Sequence, residues 1–144
     1  MKEQKVLTFD MAVAGAVAAM LKMGPGFVYN EGAKYTCAYV PTGHPGFKPT
    51  TWAGESMTSS NNPAAQLCGC IVGEILMHND MMTPEIAGIY SGISALIGGS
   101  YVLVDSDETR TLLSAMQTEQ DSGLTWGQAF LTALEDVRTR NINL

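Results

Sequence analysis

The sequence predicts a mostly helical α+β fold, with about five helices and a small two-stranded antiparallel sheet. Apolar residues recur at helical spacing in segments separated by short Pro and Gly punctuation. One stretch, Lys34 to Val40, alternates at period two, and a short β-rich run, Tyr101 to Val104, offers the partner that its ladder groups require. The 144 residues suit a single globular domain over 1–144, large enough for one proper core.

The elements follow in order. Thr8 is the candidate N-cap of a helix from about Phe9 to Met23, stopped by Gly24-Pro25-Gly26. Ala12, Ala14, Gly15, Ala16, Ala18 and Ala19 make it small and apolar almost all round, which predicts a central, closely packed helix. In the strand, Tyr35, Cys37 and Tyr39 fall on one face and Thr36, Ala38 and Val40 on the other, and Pro41 ends it. Pro63 opens a helix to about His78, capped by Asn62 or Asn61. Thr83-Pro84-Glu85 opens the next, where Ile86, Ile89, Tyr90, Ile93, Leu96 and Ile97 keep helical spacing until Gly98-Gly99. Asp105 with Glu108 resembles a capping box for a helix that ends at Gly123. Thr125 with Gln128 forms a second box, starting a helix from Trp126 to about Arg140.

Composition excludes several function classes. The net charge of −6 leaves no basic stripe to hold a phosphate backbone, so no nucleic acid is expected. Seven acids fall between Asp105 and Asp136 with Arg110 the only base, a pattern of solvated helix faces. Only 15% of residues are charged, and a low-charge surface of this kind suits a homo-oligomer, because interface cores are depleted in charge. The first 21 residues briefly imitate a signal peptide, but Asp10 interrupts the apolar run, which ends at Lys22 too soon to span a bilayer. No membrane is expected. Three cysteines cannot all pair within one chain, which points to a reducing, cytoplasmic compartment.

Two of those cysteines, Cys68 and Cys70, sit one residue apart in an apolar run. On a continuous helix they would point about 200° apart, so they could not share an ion, and no Cys-x2-4-Cys pair with a second ligand pair exists. No metal and no cofactor are expected. Cys70, Glu74 and His78 are spaced by four and would form one ridge, yet about 12 Å of helical rise separates the ends, too far for a Cys-His dyad. A thiol enzyme would need Cys70 or Cys37 with His44. Gly69-x-x-x-Gly73 and Gly88-x-x-x-Gly92 would leave flat strips for close contact, within the fold or between protomers. Gly24-Pro25-Gly26 lacks the Lys-Ser/Thr of a phosphate loop.

The segment 41–62 has no periodicity and is crowded with Pro, Gly, Ser and Thr; a loop of that length in a compact domain is usually functional. It displays His44, Phe47, Lys48, Trp52 and Glu55 among small residues, which makes these five the candidate binding residues. The alternative is that Phe47 and Trp52 fold back as a lid on the core.

The segments Cys37-Ala-Tyr-Val40, Cys70-Ile-Val-Gly-Glu-Ile-Leu76 and Gln120-Asp-Ser-Gly-Leu-Thr-Trp-Gly-Gln-Ala129 together resemble a group of small actinobacterial and actinophage proteins. In that group C-x-Y-V, C-[IL]-V-G-x-x-L and Q-D-x-G-x-T-W-G-x-A recur in this order. The stretch between the first two segments is longer here than the group implies. The resemblance implies a setting, a phage accessory product acting inside a bacterial host cell. The expectation is therefore a non-enzymatic protein that binds a host protein or small ligand through the 41–62 loop. The alternatives are a nucleotide sponge using Lys34, Lys48 or Arg110, a minor virion or assembly component, and a Cys-dependent enzyme.

Overall fold

Thr8 accepts a hydrogen bond from the Met11 N–H at 3.2 Å, and from that cap α1 runs Phe9–Met23 to Gly24. The computed structural model describes residues 4–48, 62–89 and 91–142; Trp52, Glu55 and Tyr90 lie outside them. Beyond α1 come α2 (Ile71–His78), α3 (Pro84–Ala87), α4 (Ile93–Gly98), α5 (Asp107–Asp121) and α6 (Trp126–Ile142). Two short strands, β1 (Val6–Leu7) and β2 (Leu103–Val104), complete the order, with 3-10 turns at Glu31–Ala33 and Pro63–Gln66. None of the described helices is long and apolar enough to cross a membrane.

The sheet corrects the sequence reading. It has two strands, but they are parallel, with Val6 opposite Leu103 and Leu7 opposite Val104. The Lys34–Val40 stretch is not one of them. Its backbone is satisfied elsewhere: the Tyr29 hydroxyl accepts from the Ala38 N–H at 3.2 Å and donates to the Ala38 carbonyl at 3.3 Å, and the Cys70 N–H donates to that same carbonyl at 2.8 Å. Cys37, Ala38, Tyr39 and Val40 are all buried, so the alternation arises from a segment threaded through the core rather than from a pleat.

Two expected helices are broken. Pro63–Gln66 forms a 3-10 turn under an Asn62 cap, and α2 starts afresh at Ile71 with Cys70 as its N-cap. Cys68 and Cys70 therefore do not share a helix, and the angle assigned to them does not apply. The break serves packing: a Cβ on Gly69 or Gly73 would overlap the Tyr39 carbonyl oxygen, so the strip expected for a helix receives the threaded segment instead. The second break falls between Ala87 and Ile93, with Gly88 ending α3 and Gly92 capping α4.

Two glutamines on α5 hold these restarts. Gln120 Oε1 accepts from the Ile71 N–H at 2.7 Å and from the Trp126 indole at 3.1 Å. Gln117 Oε1 accepts from the Ile93 N–H at 2.6 Å, while its amide donates to the Tyr39 hydroxyl at 3.1 Å. Neither Cys70 nor Gly92 supplies a capping side chain, so α5 caps α2 and α4 from outside. The cap of α5 itself is Ser106, which accepts from Thr109 N–H at 3.2 Å, one residue beyond the expected Asp105. The Thr125–Gln128 box forms reciprocally, both bonds at 3.1 Å.

The core lies where α1, α2 and α5 meet, filled by Leu7, Ile71, Ile75, Leu112, Leu113 and Trp126. α1 crosses α2 at Gly15, where a Cβ would stand 2.9 Å from the Ile75 Cα. Contrary to expectation α1 is not covered all round: Val17 and Leu21 are exposed.

Candidate functional site

α2 ends with the chain folded back on itself. The Asp80 N–H donates to the Met77 carbonyl and the Met81 N–H to the Leu76 carbonyl, the paired bonds of a Schellman motif, with Asp80 at φ 56°. α4 ends the same way. The Ser100 N–H donates to Ile97 and the Tyr101 N–H to Leu96, with Ser100 at φ 64°. In both motifs the residue in the left-handed conformation is not glycine, and in both the next residue, Met81 or Tyr101, turns toward the same concavity.

The chain ahead of β1 ties the two ends together. The Gln4 amide donates to the carbonyls of Ser100 and Tyr101 at 3.0 and 3.2 Å. Lys5 donates to the Asn79 carbonyl at 3.2 Å and stands 3.8 Å from the Asp80 carboxylate, a cation at a helix C-terminus. The result is an open groove of about 510 Å³ lined by Gln4, Lys5, Asp80, Met81, Met82, Thr83 and Tyr101. A second basin of about 420 Å³ shares Asp80, Met82 and Thr83 and adds His44, Pro45, Gly46, Met77 and Pro84.

Of the five residues expected to bind, three are among the described residues, and one of these reaches this surface. His44 lines the second basin, and its Nδ1 accepts from the Gly46 N–H at 2.9 Å, which fixes the ring. Gly46 is needed there because a Cβ would press on the Ala87 side chain at 2.7 Å. Phe47 is half-buried and Lys48 lays its stem over Gly88; neither lines the groove. Trp52 and Glu55 lie outside the described residues.

The other constellations separate. Glu74 accepts from the Lys22 ammonium at 2.9 Å and from the Gly69 N–H at 3.0 Å, while His78 is exposed at the end of α2. Cys37, Cys68 and Cys70 are buried. Burial pushes the Cys37 thiol well above its ordinary range and Cys68 up to about 12, so both are protonated at neutral pH. Lys34 stands over its neighbour Tyr35 at 5.3 Å, and Arg110 lines a depression between α5 and α6 with Glu119 and Asp136. Among the described residues, no group of three or more His, Cys, Asp or Glu side chains stands where it could hold a metal ion.

Gln4, Lys5, Met77, Asp80, Met81, Met82, Thr83 and Tyr101 were not read from the sequence as site residues. The signal for part of them is the run His78-Asn-Asp-Met-Met-Thr-Pro84, a helix end without glycine followed by two methionines before a new helix start. No known protein family, curated protein or solved structure matches the chain.

Proposed function

We propose that this chain is a non-enzymatic binding protein that holds an extended apolar segment of a partner protein along the groove between the ends of α2 and α4. One observation carries the reading: Met81, Met82 and Tyr101 converge on an open surface of about 510 Å³, and Met82 also borders the neighbouring basin that His44 lines. Methionine is soft and conformationally adaptable, and tyrosine supplies a large anchor with a polar tip, a pairing typical of protein-binding surfaces. Lys5 and Asp80 at the rim offer one charge of each sign to the partner's backbone or side chains. An open trough suits a peptide better than an enclosed small ligand, which would be surrounded on most sides. The burial of all three thiols, with Cys37 held well above its ordinary range, favours this reading over a thiol nucleophile. The resemblance to actinobacterial and actinophage proteins makes a bacterial host protein the partner to seek.

Selection of a randomised peptide library against the immobilised chain tests the reading. The expected result is a set of apolar peptides whose affinity falls about tenfold in Tyr101→Ala and in Met82→Ser. A selection that returns no peptide, or peptides indifferent to both substitutions, overturns it.

A further inference from the structure

Two of the three buried thiols meet inside the core. Cys37 lies on the threaded segment and Cys70 stands at the start of α2, and the Cys70 N–H donates to the carbonyl of Ala38, the residue after Cys37, at 2.8 Å. The Cys37 thiol is within hydrogen-bonding reach of the Cys70 thiol, and both lie close enough to Tyr29 and Tyr39 to raise those phenols. Cys68 is engaged elsewhere: its thiol donates to the Ala64 carbonyl at 3.7 Å within its own turn.

The packed backbone holds this approach. Gly69 and Gly73 flank Cys70 and leave room for the Tyr39 carbonyl, which a Cβ at either position would overlap. The Thr42 N–H donates to the Ala65 carbonyl at 2.8 Å, and the Gln117 amide reaches the Cys37 sulfur at 3.6 Å and the Tyr39 hydroxyl at 3.1 Å. The threaded segment is thus fixed against α2 and α5, with the two sulfurs side by side. A disulfide forms without backbone movement only between cysteines already placed in this way.

We propose that Cys37 and Cys70 are a dithiol–disulfide couple, which locks the threaded segment onto the start of α2 when a low-molecular-weight disulfide oxidises it. One protein thiol loses its proton to water and attacks a sulfur of the oxidant, whose S–S bond breaks and releases one small thiolate. The second protein thiol, deprotonated in turn, attacks the protein sulfur of that mixed disulfide, forms the Cys37–Cys70 bond and expels the other small thiolate. Two electrons pass from the cysteines to the oxidant, which leaves as two thiols. Burial keeps the Cys37 thiol protonated in the folded chain, so the exchange proceeds as the chain folds or when the segment lifts from α2. In a reducing compartment the couple rests as the dithiol. The closed loop spans residues 37–70, while Asp80, Met81, Met82 and Tyr101 lie outside it, so this couple and the peptide groove can fail independently.

Refolding the full chain from urea in buffer with excess oxidised glutathione tests it. After an acid quench the wild-type chain is expected to retain one free thiol of its three cysteines, and peptide mapping to place the bond between Cys37 and Cys70. Cys68→Ser should form the same bond and retain no free thiol. The oxidised protein should have a folding equilibrium constant at least about tenfold above that of the reduced protein in urea unfolding, since the bond restrains the unfolded chain. Three free thiols after refolding in excess oxidant overturn the proposal. So does a bond that includes Cys68, or glutathione held on Cys37 or Cys70 without closure. A Cys37–Cys70 bond that lowers the folding constant also overturns it, because the sulfurs would then meet only by distorting the fold.

Discussion

Asp80 occupies a backbone position that glycine usually fills, at φ 56°, and its carboxylate is almost fully exposed beside Lys5 at 3.8 Å. An ion pair so open contributes little to stability, while a Cβ in the left-handed region is a steric cost. The fold therefore gains almost nothing from this side chain, which nonetheless borders both the groove and the basin beside it. Strain kept at a surface cleft is characteristic of binding positions. Asp80→Gly should raise the unfolding free energy by about 0.5–1 kcal/mol, read as a higher urea midpoint at unchanged slope, and should weaken the peptides that the groove selects. A lower midpoint would mean that Asp80 supports the fold and that its strain needs no functional account. Ser100, at φ 64°, holds the matching position at the end of α4.

Gly73 sits in the first turn of α2, and its missing Cβ is what lets the Tyr39 carbonyl approach. Neither partner is a flexible side-chain tip, so Gly73→Ala must push the threaded segment off α2 and pull the Cys70–Ala38 hydrogen bond with it. A loss of at least about 3 kcal/mol is expected in urea unfolding, against a gain from helix propensity of only about 1 kcal/mol. Unfolding within about 1 kcal/mol of wild type would show that the two backbones are not in contact. This contact also explains which elements were legible. α1, α5 and α6 announce themselves because their start and stop signals lie within their own sequence: Thr8, Gly24, Gly123 and the Thr125–Gln128 box. α2 and α4 start where no local capping side chain exists, and their acceptors come from Gln120 and Gln117, 49 and 24 residues away. Periodicity runs straight across both breaks, so the sequence reads as longer helices. The threaded segment alternates like a strand because it is buried on both sides, and its true partners are a tyrosine hydroxyl and a helix N-terminus. Of the groove and the basin beside it only His44, which lines the basin, was read as a site residue, since the groove is assembled from helix ends and the residues ahead of β1, which sequence spacing does not connect.

Across the whole molecule, the thiols and phenols of the core place a limit on stability at high pH. Cys37 donates no ion to the surface; it accepts from the Gln117 amide at 3.6 Å, close to Tyr39, and Tyr29 is held above the ordinary phenol range by burial and by Cys37 and Cys70. Burial disfavours each anion, and anions formed together would repel one another. Cys68 is pushed from 9.0 up to about 12, and Cys37, Tyr29 and Tyr39 are raised too. A group whose folded pKa is raised stabilises the fold fully below its unfolded value. That stability is lost as pH rises toward the folded value, because the unfolded chain then releases protons that the folded one retains. The window accordingly opens near pH 9 for the thiols and near pH 10 for the two phenols. Each retained proton steepens the fall by about 1.36 kcal/mol per pH unit. Urea midpoints should be level between about pH 7 and pH 8.5 and then drop progressively, and Cys68→Ala should fall less steeply by about one proton. A midpoint that stays level to about pH 11 would mean that these groups ionise within the folded protein, and that the core around Cys37 and Tyr29 admits water.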